Sequence, residues 1–440
     1  MSEAPVITVI GGGPAGLSAA VTLARSGMRV LLVEQRDRLG GAIHRQPANG
    51  NTPQVMRLAG HVQAWSRLMG EFAALRAHIT LAASTVFVGV DAAGFVLLDN
   101  RRSGELLAVR PAGMVLALGA TEIVHPFPGW ELPGVFSAGG AQVLLKETGR
   151  PLDGRTLIAG SGPLLLALGA QLCAAGRPPI AVMERGRLFS RPTAAFAMLR
   201  SPHNLFEGAG YAARLARARV PYRAGAHVVS VTSAQSGLTV ETIRDGSTTI
   251  YHVDNLVVHD GIRSSHLSVD VSNLPFPTVE AGDGRKILGA HCAMADGRLA
   301  SARLLSLLGK TAVPTVADER AVRTAGRFQD RLSTLFAEPP PPIRPDAILC
   351  RCEGRRADTL PLGASPREAK LIGRFGMGAC QGRFCEEATV RALGDHGTVS
   401  DFRPAVMRWP IRPLSAVSLA RLRHVSTNFE KIWNDDGTIA

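Results

Sequence analysis

Apolar residues fall along this chain in short strand-length runs, and two of them, at Val6 and Thr156, open a strand–turn–helix unit. Val6–Ile10 is a short, β-branched and mainly apolar run, which predicts a buried parallel strand, and a helix-like segment follows to Ser26. A second run, Arg29–Val33, ends on Glu34. Residues 54–79 carry helical spacing (Leu58, Val62, Trp65, Leu68, Phe72, Leu75) and predict a core-facing helix. Short alternating runs at 85–90, 94–98 and 106–110 predict an antiparallel meander, and Gly113–Thr121 predicts another buried strand. The pattern restarts at Thr156 with a strand, a glycine turn and an apolar helix, and its next strand ends on Glu184. Residues 186–220 then read as helical (Phe196, Leu199, Leu215) and 226–259 as short strands, with further helices at Leu288–Leu308 and Glu319–Leu335. Strands alternating with helices predict an α/β fold.

The turn after the first strand is Gly11-Gly12-Gly13-Pro14-Ala15-Gly16, which fits a dinucleotide fingerprint. Gly11 allows the tight turn, Gly13 lets the backbone approach a pyrophosphate, and Gly16 lets helix and strand pack closely. The pyrophosphate would sit on the helix N-terminus, among Pro14 and Ala15, where N–H groups and the dipole favour negative charge. Glu34 is placed to accept a hydrogen bond from a ribose hydroxyl. Gly40 and Gly41 suit a backbone that passes close to a flat or phosphorylated ligand. The second turn repeats the pattern with Gly160, Gly162 and Glu184, but Leu165 stands in the place of the third glycine. A leucine there pushes helix and strand apart. A second Rossmann-like scaffold is expected, with NAD(P) binding left open.

Composition narrows the classes. The chain has 440 residues, 46% hydrophobic and 19% charged, with a formal charge of +13, which suits a globular protein of several domains. The charge comes from scattered arginines without a basic run, which argues against nucleic-acid binding. No signal peptide is visible, and the most apolar stretch, Leu157–Gly176, is a glycine-rich strand–turn–helix, so a cytoplasmic location is expected. Pro339–Pro342 form a stiff spacer and the clearest boundary in the chain.

Beyond the spacer, Cys350 and Cys352, 27 intervening residues, then Cys380 and Cys385 make a C-x-C…C-x4-C set. Four thiolates in two close pairs suit a [2Fe–2S] cluster. Gly376, Gly378 and Gly382 would let N–H groups approach sulfur, while Arg351 and Arg383 would offset cluster charge. Structural zinc is the rival, although its pairs more often come as C-x2-C. Cys173 and Cys292 read as small core residues. The first turn lacks a C-x-x-C dithiol, which excludes a disulfide reductase. No general-base motif is found either, and His44, His125 and His291 read as structural.

With these motifs, and with Gly134–Gln142 (GVFSAGGAQ), LCRCEG and GMGACQGRFC, the chain resembles the alpha (A) subunits of bacterial heteromeric flavin-dependent amine dehydrogenases. That family comprises opine (octopine or nopaline) dehydrogenases, D-hydroxyproline dehydrogenase and hydrogen cyanide synthase. The alpha subunit of heterotetrameric sarcosine oxidase is a more distant relative. The resemblance covers nearly the whole chain, including the tail Phe402–Leu414.

It implies an α/β, two-dinucleotide-binding-domain flavoprotein. A Rossmann-like FAD domain (1–125 and 265–310) would carry an inserted NAD-type domain (126–264), followed by a helix and proline-rich linker (311–345), a four-cysteine [2Fe–2S] domain (346–400) and a tail (401–440). It adds Gly119, in Ala117–Ala120, and Asp283, in an Ala-Gly-Asp turn, to the FAD contacts. The segment between Asp260 and Glu280 lacks an apolar strand leading into that turn. The resemblance implies an electron-relay role beside an FAD-containing beta subunit that oxidises the C–N bond, and allows an interface FMN and a small third subunit. Alternatives are a self-sufficient NAD(P)H-dependent flavin reductase, a hydrogen cyanide synthase-type subunit oxidising glycine, and a zinc-stabilised scaffold holding a nucleotide such as ATP.

Overall fold

The computed structural model describes residues 6–47, 59–91, 93–187, 202–265, 274–311, 315–361, 363–380 and 382–394, with isolated positions between 192 and 198. The tail beyond 394, including Phe402–Leu414, lies outside the described residues.

In chain order the first unit runs β1 (Val6–Ile10), α1 (Pro14–Arg25), β2 (Arg29–Val33), α2 (Ala59–Ala74) and β3 (Ile79–Ala82). It continues through β4 (Thr85–Val90), β5 (Val96–Asn100), β6 (Glu105–Val109) and β7 (Gly113–Leu116), and β8 (Ala120–Glu122) leads out. The inserted unit holds β9 (Val135–Ser137), α3 (Ala138–Thr148), β10 (Thr156–Gly160), α4 (Pro163–Ala174), β11 (Ala181–Glu184) and α5 (Pro202–Arg217). It ends with β12 (Tyr222–Ala224), β13 (Ala226–Ser233), β14 (Leu238–Arg244), β15 (Ser247–Val253) and β16 (Asn255–His259). The chain returns through β17 (Ile262–Ser264), β18 (Thr278–Glu280), α6 (Ala290–Leu307) and α7 (Val316–Leu335). A small cysteine module then carries β19 (Ile348–Cys350), β20 (Arg355–Arg356), α8 (Pro366–Leu371) and α9 (Glu386–Leu393).

Two five-stranded parallel sheets result, ordered β18-β7-β1-β2-β3 and β12-β11-β10-β16-β9. The β17–β8 ribbon joins the outgoing and returning chain. In the first unit alternate residues of β1 face opposite layers, as the two-residue strand period requires. Ile7 and Val9 pack with Leu17, Leu23, Trp65 and Leu304 of the helices, whereas Ile10 packs with Phe87, Val96 and Leu98 of the antiparallel β4–β6 meander. Both faces are thus covered, which explains why β1, β2 and β7 are mostly apolar.

A strand does lead into the Ala-Gly-Asp turn: β18 is three residues long and parallel to β7. Its residues are Thr-Val-Glu, so pairing rather than apolar character defines it. α6 lies close against α1. A Cβ on Gly297 would stand 2.2 Å from the Ala15 carbonyl oxygen. Ser18 donates to the Met294 carbonyl (2.9 Å) and Ser301 to that of Ala19 (3.1 Å).

The cysteine module is docked on the inserted unit. Trp130 Nε1 donates to the Ile348 carbonyl (2.6 Å), and Arg351 lies over the Trp130 ring and donates to the Glu131 carbonyl (3.3 Å). Arg391 on α9 donates to His125 Nδ1, and the backbone N–H of His125 donates to Asp260 (2.7 Å). Burial, then the Arg391 charge, lowers the His125 pKa to about 4.

Two outcomes follow from these contacts. Gly297→Ala should cost about 1–3 kcal/mol in chemical denaturation through overpacking against α1. Gly210→Ala, on α5 with nothing within 4 Å of the new methyl, should be neutral or stabilising by about 0.5–1 kcal/mol. For His125, the unfolded chain takes up its proton near pH 6.5 while the fold resists down to about pH 4. Stability should therefore fall with pH across that window, by about 3 kcal/mol through this residue. His125→Asn should flatten that part of a stability–pH curve.

Candidate functional site

The fingerprint residues meet at the C-terminal edge of the first sheet, where open α/β folds bind ligands. Gly11 has φ +106°, and a Cβ there would lie 2.3 Å from the Ala117 carbonyl oxygen. One on Gly16 would lie 1.8 Å from the Gly11 oxygen. Both glycines are required by the chain's own packing. Gly13 differs, because its Cβ would meet nothing nearer than the Gly41 Cα at 3.7 Å. Packing does not demand a glycine there, whereas a ligand pressed against the backbone does. Pro14 opens α1, whose first turn has neither a side-chain cap nor an acidic residue, leaving its N–H groups able to take an anion.

Glu34 is 6% exposed and anchors the turn from inside. Its Oε2 accepts from Gly12 N–H (2.7 Å) and its Oε1 from Arg36 N–H (3.0 Å). Burial pushes its pKa up while these N–H groups pull it down. Gly41 faces Gly13 across the turn. A Cβ on Gly282 would fall 2.5 Å from Ala15 Cβ, and one on Gly284 would fall 3.3–3.4 Å from the Leu118 and Gly119 nitrogens. Gly119 and the Asp283 turn are thus brought to the same edge as Gly11–Gly16. Asp283 itself is turned onto the chain, its Oδ1 accepting from Leu288 (2.8 Å) and Gly289 (3.2 Å) N–H, and burial raises its pKa.

The carboxylate that supports this turn carries no motif in the sequence. Asp296, fully buried on α6, accepts from Gly282 N–H (2.7 Å) and pairs with Arg285 (2.6 Å). Only its α-helical setting marks it, since a charged residue on an inward helix face needs a partner.

The second turn is built from the same parts with a different outcome. Glu184 Oε2 accepts from Gly162 N–H (3.0 Å) and Oε1 from Gly186 N–H (2.9 Å). Gly162 is the residue that caps α4, so the carboxylate takes the N–H of the helix-capping residue. Leu165 is fully buried with Leu168 and Ile158. The His259 ring lies 3.7 Å from the position of a Gly162 Cβ, and its Nδ1 bonds Glu122 (2.6 Å). Beside this turn, the Tyr222 hydroxyl and Arg223 Nε are buried without a hydrogen-bond partner among the described residues.

In the cysteine module the four thiols converge as a chain. Cys385 acts on the ionisation of Cys350 and Cys380, and Cys380 on that of Cys352, so the four thiols are neighbours. The neighbouring Cys385 thiol is the main cause that lowers the pKa of Cys350 and of Cys380, whereas that of Cys385 itself is raised. N–H groups of Gly376 and Glu353 point at Cys350, and those of Phe384 and Gly382 at Cys380. A Cβ on Gly378 would lie 2.3 Å from Cys352 Cβ, so that glycine admits the second pair. Arg383 faces Cys380, whereas Arg351 is engaged by the inserted unit. Among the described residues no group of three or more His, Cys, Asp or Glu side chains is arranged around a common point as metal ligands. His44 is buried and stacks on Trp65 (4.7 Å between centroids). No described helix is long and apolar enough to cross a membrane.

Comparison with known proteins agrees with this geometry. Residues 5–283 match the pyridine nucleotide-disulphide oxidoreductase family. The opine oxidase A chain of Agrobacterium tumefaciens is 29% identical over 98% of this chain and 94% of its own length. Hydrogen cyanide synthase subunit HcnB of Pseudomonas aeruginosa is 30% identical over 94% of this chain and 97% of its own. The L-proline dehydrogenase structure from P. horikoshii shares the fold, with a TM-score of 0.62 and 19% identity over 95% of this chain and 80% of that one. The chain is therefore an oxidoreductase of the pyridine nucleotide-disulphide oxidoreductase family, and it belongs with HcnB and the A chains of opine oxidase.

Proposed function

We propose that the chain is the FAD- and [2Fe–2S]-containing electron-relay subunit of a heteromeric enzyme that oxidises the C–N bond of an amino acid or opine. The observation that carries this reading is the convergence of Cys350, Cys352, Cys380 and Cys385 in a module docked on a two-unit nucleotide fold. Four neighbouring thiols with backbone N–H groups directed at two of them have the chemistry of a four-cysteine cluster, and gathering them around one centre would be the work of the bound cluster. Gly11, Gly13, Pro14, Ala15, Gly16, Glu34, Gly41, Gly119 and Asp283 would hold the FAD. A flavin supplies two-electron acceptance and the cluster one-electron transfer.

This chain's residues then have binding and insulating roles. The α1 N-terminus offsets pyrophosphate charge, Glu34 orients a ribose, and Arg383 offsets negative charge beside Cys380. C–N oxidation belongs to a partner beta subunit with its own FAD, where a secondary-amine amino acid gives an imine that water hydrolyses. The names of the relatives as enzyme subunits support a multi-subunit assembly. The Glu184–Gly162 bond and the buried Leu165 weigh against a self-sufficient NAD(P)H-dependent reductase.

Adding NADH anaerobically to the isolated chain should leave its flavin oxidised over many minutes; rapid bleaching would instead establish the reductase reading. Cys380→Ser should remove the iron–sulfur absorbance and leave flavin bound, and persistence of that absorbance would refute the ligand set. Glu34→Ala should weaken FAD binding by about ten- to hundred-fold in titrations of the flavin-free protein, with unchanged affinity counting against the ribose assignment.

A further inference from the structure

One helix end joins the two units without belonging to either turn described above. α3 belongs to the inserted unit, yet its last turn reaches across to the first. Lys146 is 4% exposed, and its Nζ donates to the carbonyl oxygens of Ala42 (3.1 Å) and Ile43 (3.4 Å) and to Gln142 Oε1 (2.9 Å). The next residue, Glu147, bonds Arg45 (3.2 Å) and pairs with Arg36. Arg36 is also the residue whose N–H supports Glu34.

Glu147 therefore holds both ends of the segment from Arg36 to Arg45, and Lys146 holds Ala42 and Ile43 within it, next to the Gly41 that lies over Gly13. A cleft of about 240 Å3 opens at this grip, lined by Arg36, Arg38, Leu39, Gly41, Arg45 and Glu147. It lies beside the acid assigned to the ribose. Closing the helix does not require these side chains, because Gly149, in the left-handed conformation at φ +67°, already donates its N–H to the Leu145 carbonyl (2.9 Å). A buried ammonium persists only where its hydrogen bonds are made, so Lys146 holds its acceptors in place as much as they hold it.

We infer that Lys146 and Glu147 are positioning residues for the cofactor of the first turn. They latch the segment from Arg36 to Arg45 over the glycine turn, so that the nucleotide is retained only while α3 of the inserted unit is docked. The inference rests on reading the first turn as an FAD site. It makes that site composite: the first unit supplies the turn and Glu34, and the inserted unit supplies the clamp that keeps the ligand from leaving.

The test uses the full chain as wild type, Lys146→Met, Lys146→Arg and Glu147→Gln. FAD release is followed by recovery of flavin fluorescence on dilution, and hydrogen exchange of residues 36–47 is followed in the ligand-free protein. Lys146→Met should release FAD about ten- to hundred-fold faster than wild type. Lys146→Arg should restore slow release, Glu147→Gln should fall between them, and exchange in 36–47 should accelerate in Lys146→Met. Wild-type release rates in Lys146→Met and Glu147→Gln would overturn the latch while leaving the flavin reading intact, as would Lys146→Arg releasing FAD as fast as Lys146→Met. If the wild type takes up no FAD, the flavin reading fails, and unchanged exchange across 36–47 in Lys146→Met then overturns the latch as well. Should Lys146→Met not fold, Glu147→Gln carries the same comparisons.

Discussion

A buried carboxylate at the end of β2 reaches back 22 residues to accept the N–H of Gly12, and the first unit is arranged around that bond. Glu34 cannot be left unpaired in the interior, and the N–H groups of Gly12 and Arg36 are the donors the chain offers it. Keeping them in reach needs a tight turn, which is why Gly11 takes a positive φ and Gly16 has no room for a Cβ. The turn in turn fixes where α1 begins. Gly297 lets α6 press on α1 at Ala15, and Asp296 holds the Gly282 turn from the other side. What the resulting turn offers a ligand is a set of backbone N–H groups rather than any single side chain, held in place by contacts beneath it.

The inserted unit keeps the same device with its acceptor moved. Glu184 is buried and bonds Gly162, the capping residue of α4, one position further along its turn than the residue Glu34 holds in the first. The inserted unit also contributes surfaces: α3 to the first unit through Lys146 and Glu147, and the Trp130–His125 region to the cysteine module. Two sites that a relay would have to connect are attached to one body by different faces of it.

Much of this was legible in the sequence because the determinants are local. Glycine spacing dictates the turn, strand-length apolar runs dictate the sheets, and cysteine spacing groups the thiols. β18 was not legible, because its three residues are neither apolar nor long and become a strand only by pairing with β7. Nor were Asp296, Lys146 and the His259–Glu122 pair, whose roles depend on which residue stands opposite. For Lys146 and Ala42 that separation is 104 residues, far outside any periodic signal. Arg351 shows the converse: proximity in sequence to Cys350 and Cys352 suggested a partner for sulfur, and the fold gives it to Trp130 and Glu131.

The most direct measurement is the cofactor content of wild-type protein purified without oxygen, with flavin, iron, acid-labile sulfide and zinc determined on the same sample. A relay subunit should carry FAD together with iron and sulfide in the proportion of a [2Fe–2S] cluster, and should give a rhombic electron paramagnetic resonance signal on reduction. Protein that carries zinc on its cysteines, or that lacks both flavin and iron, would contradict that role.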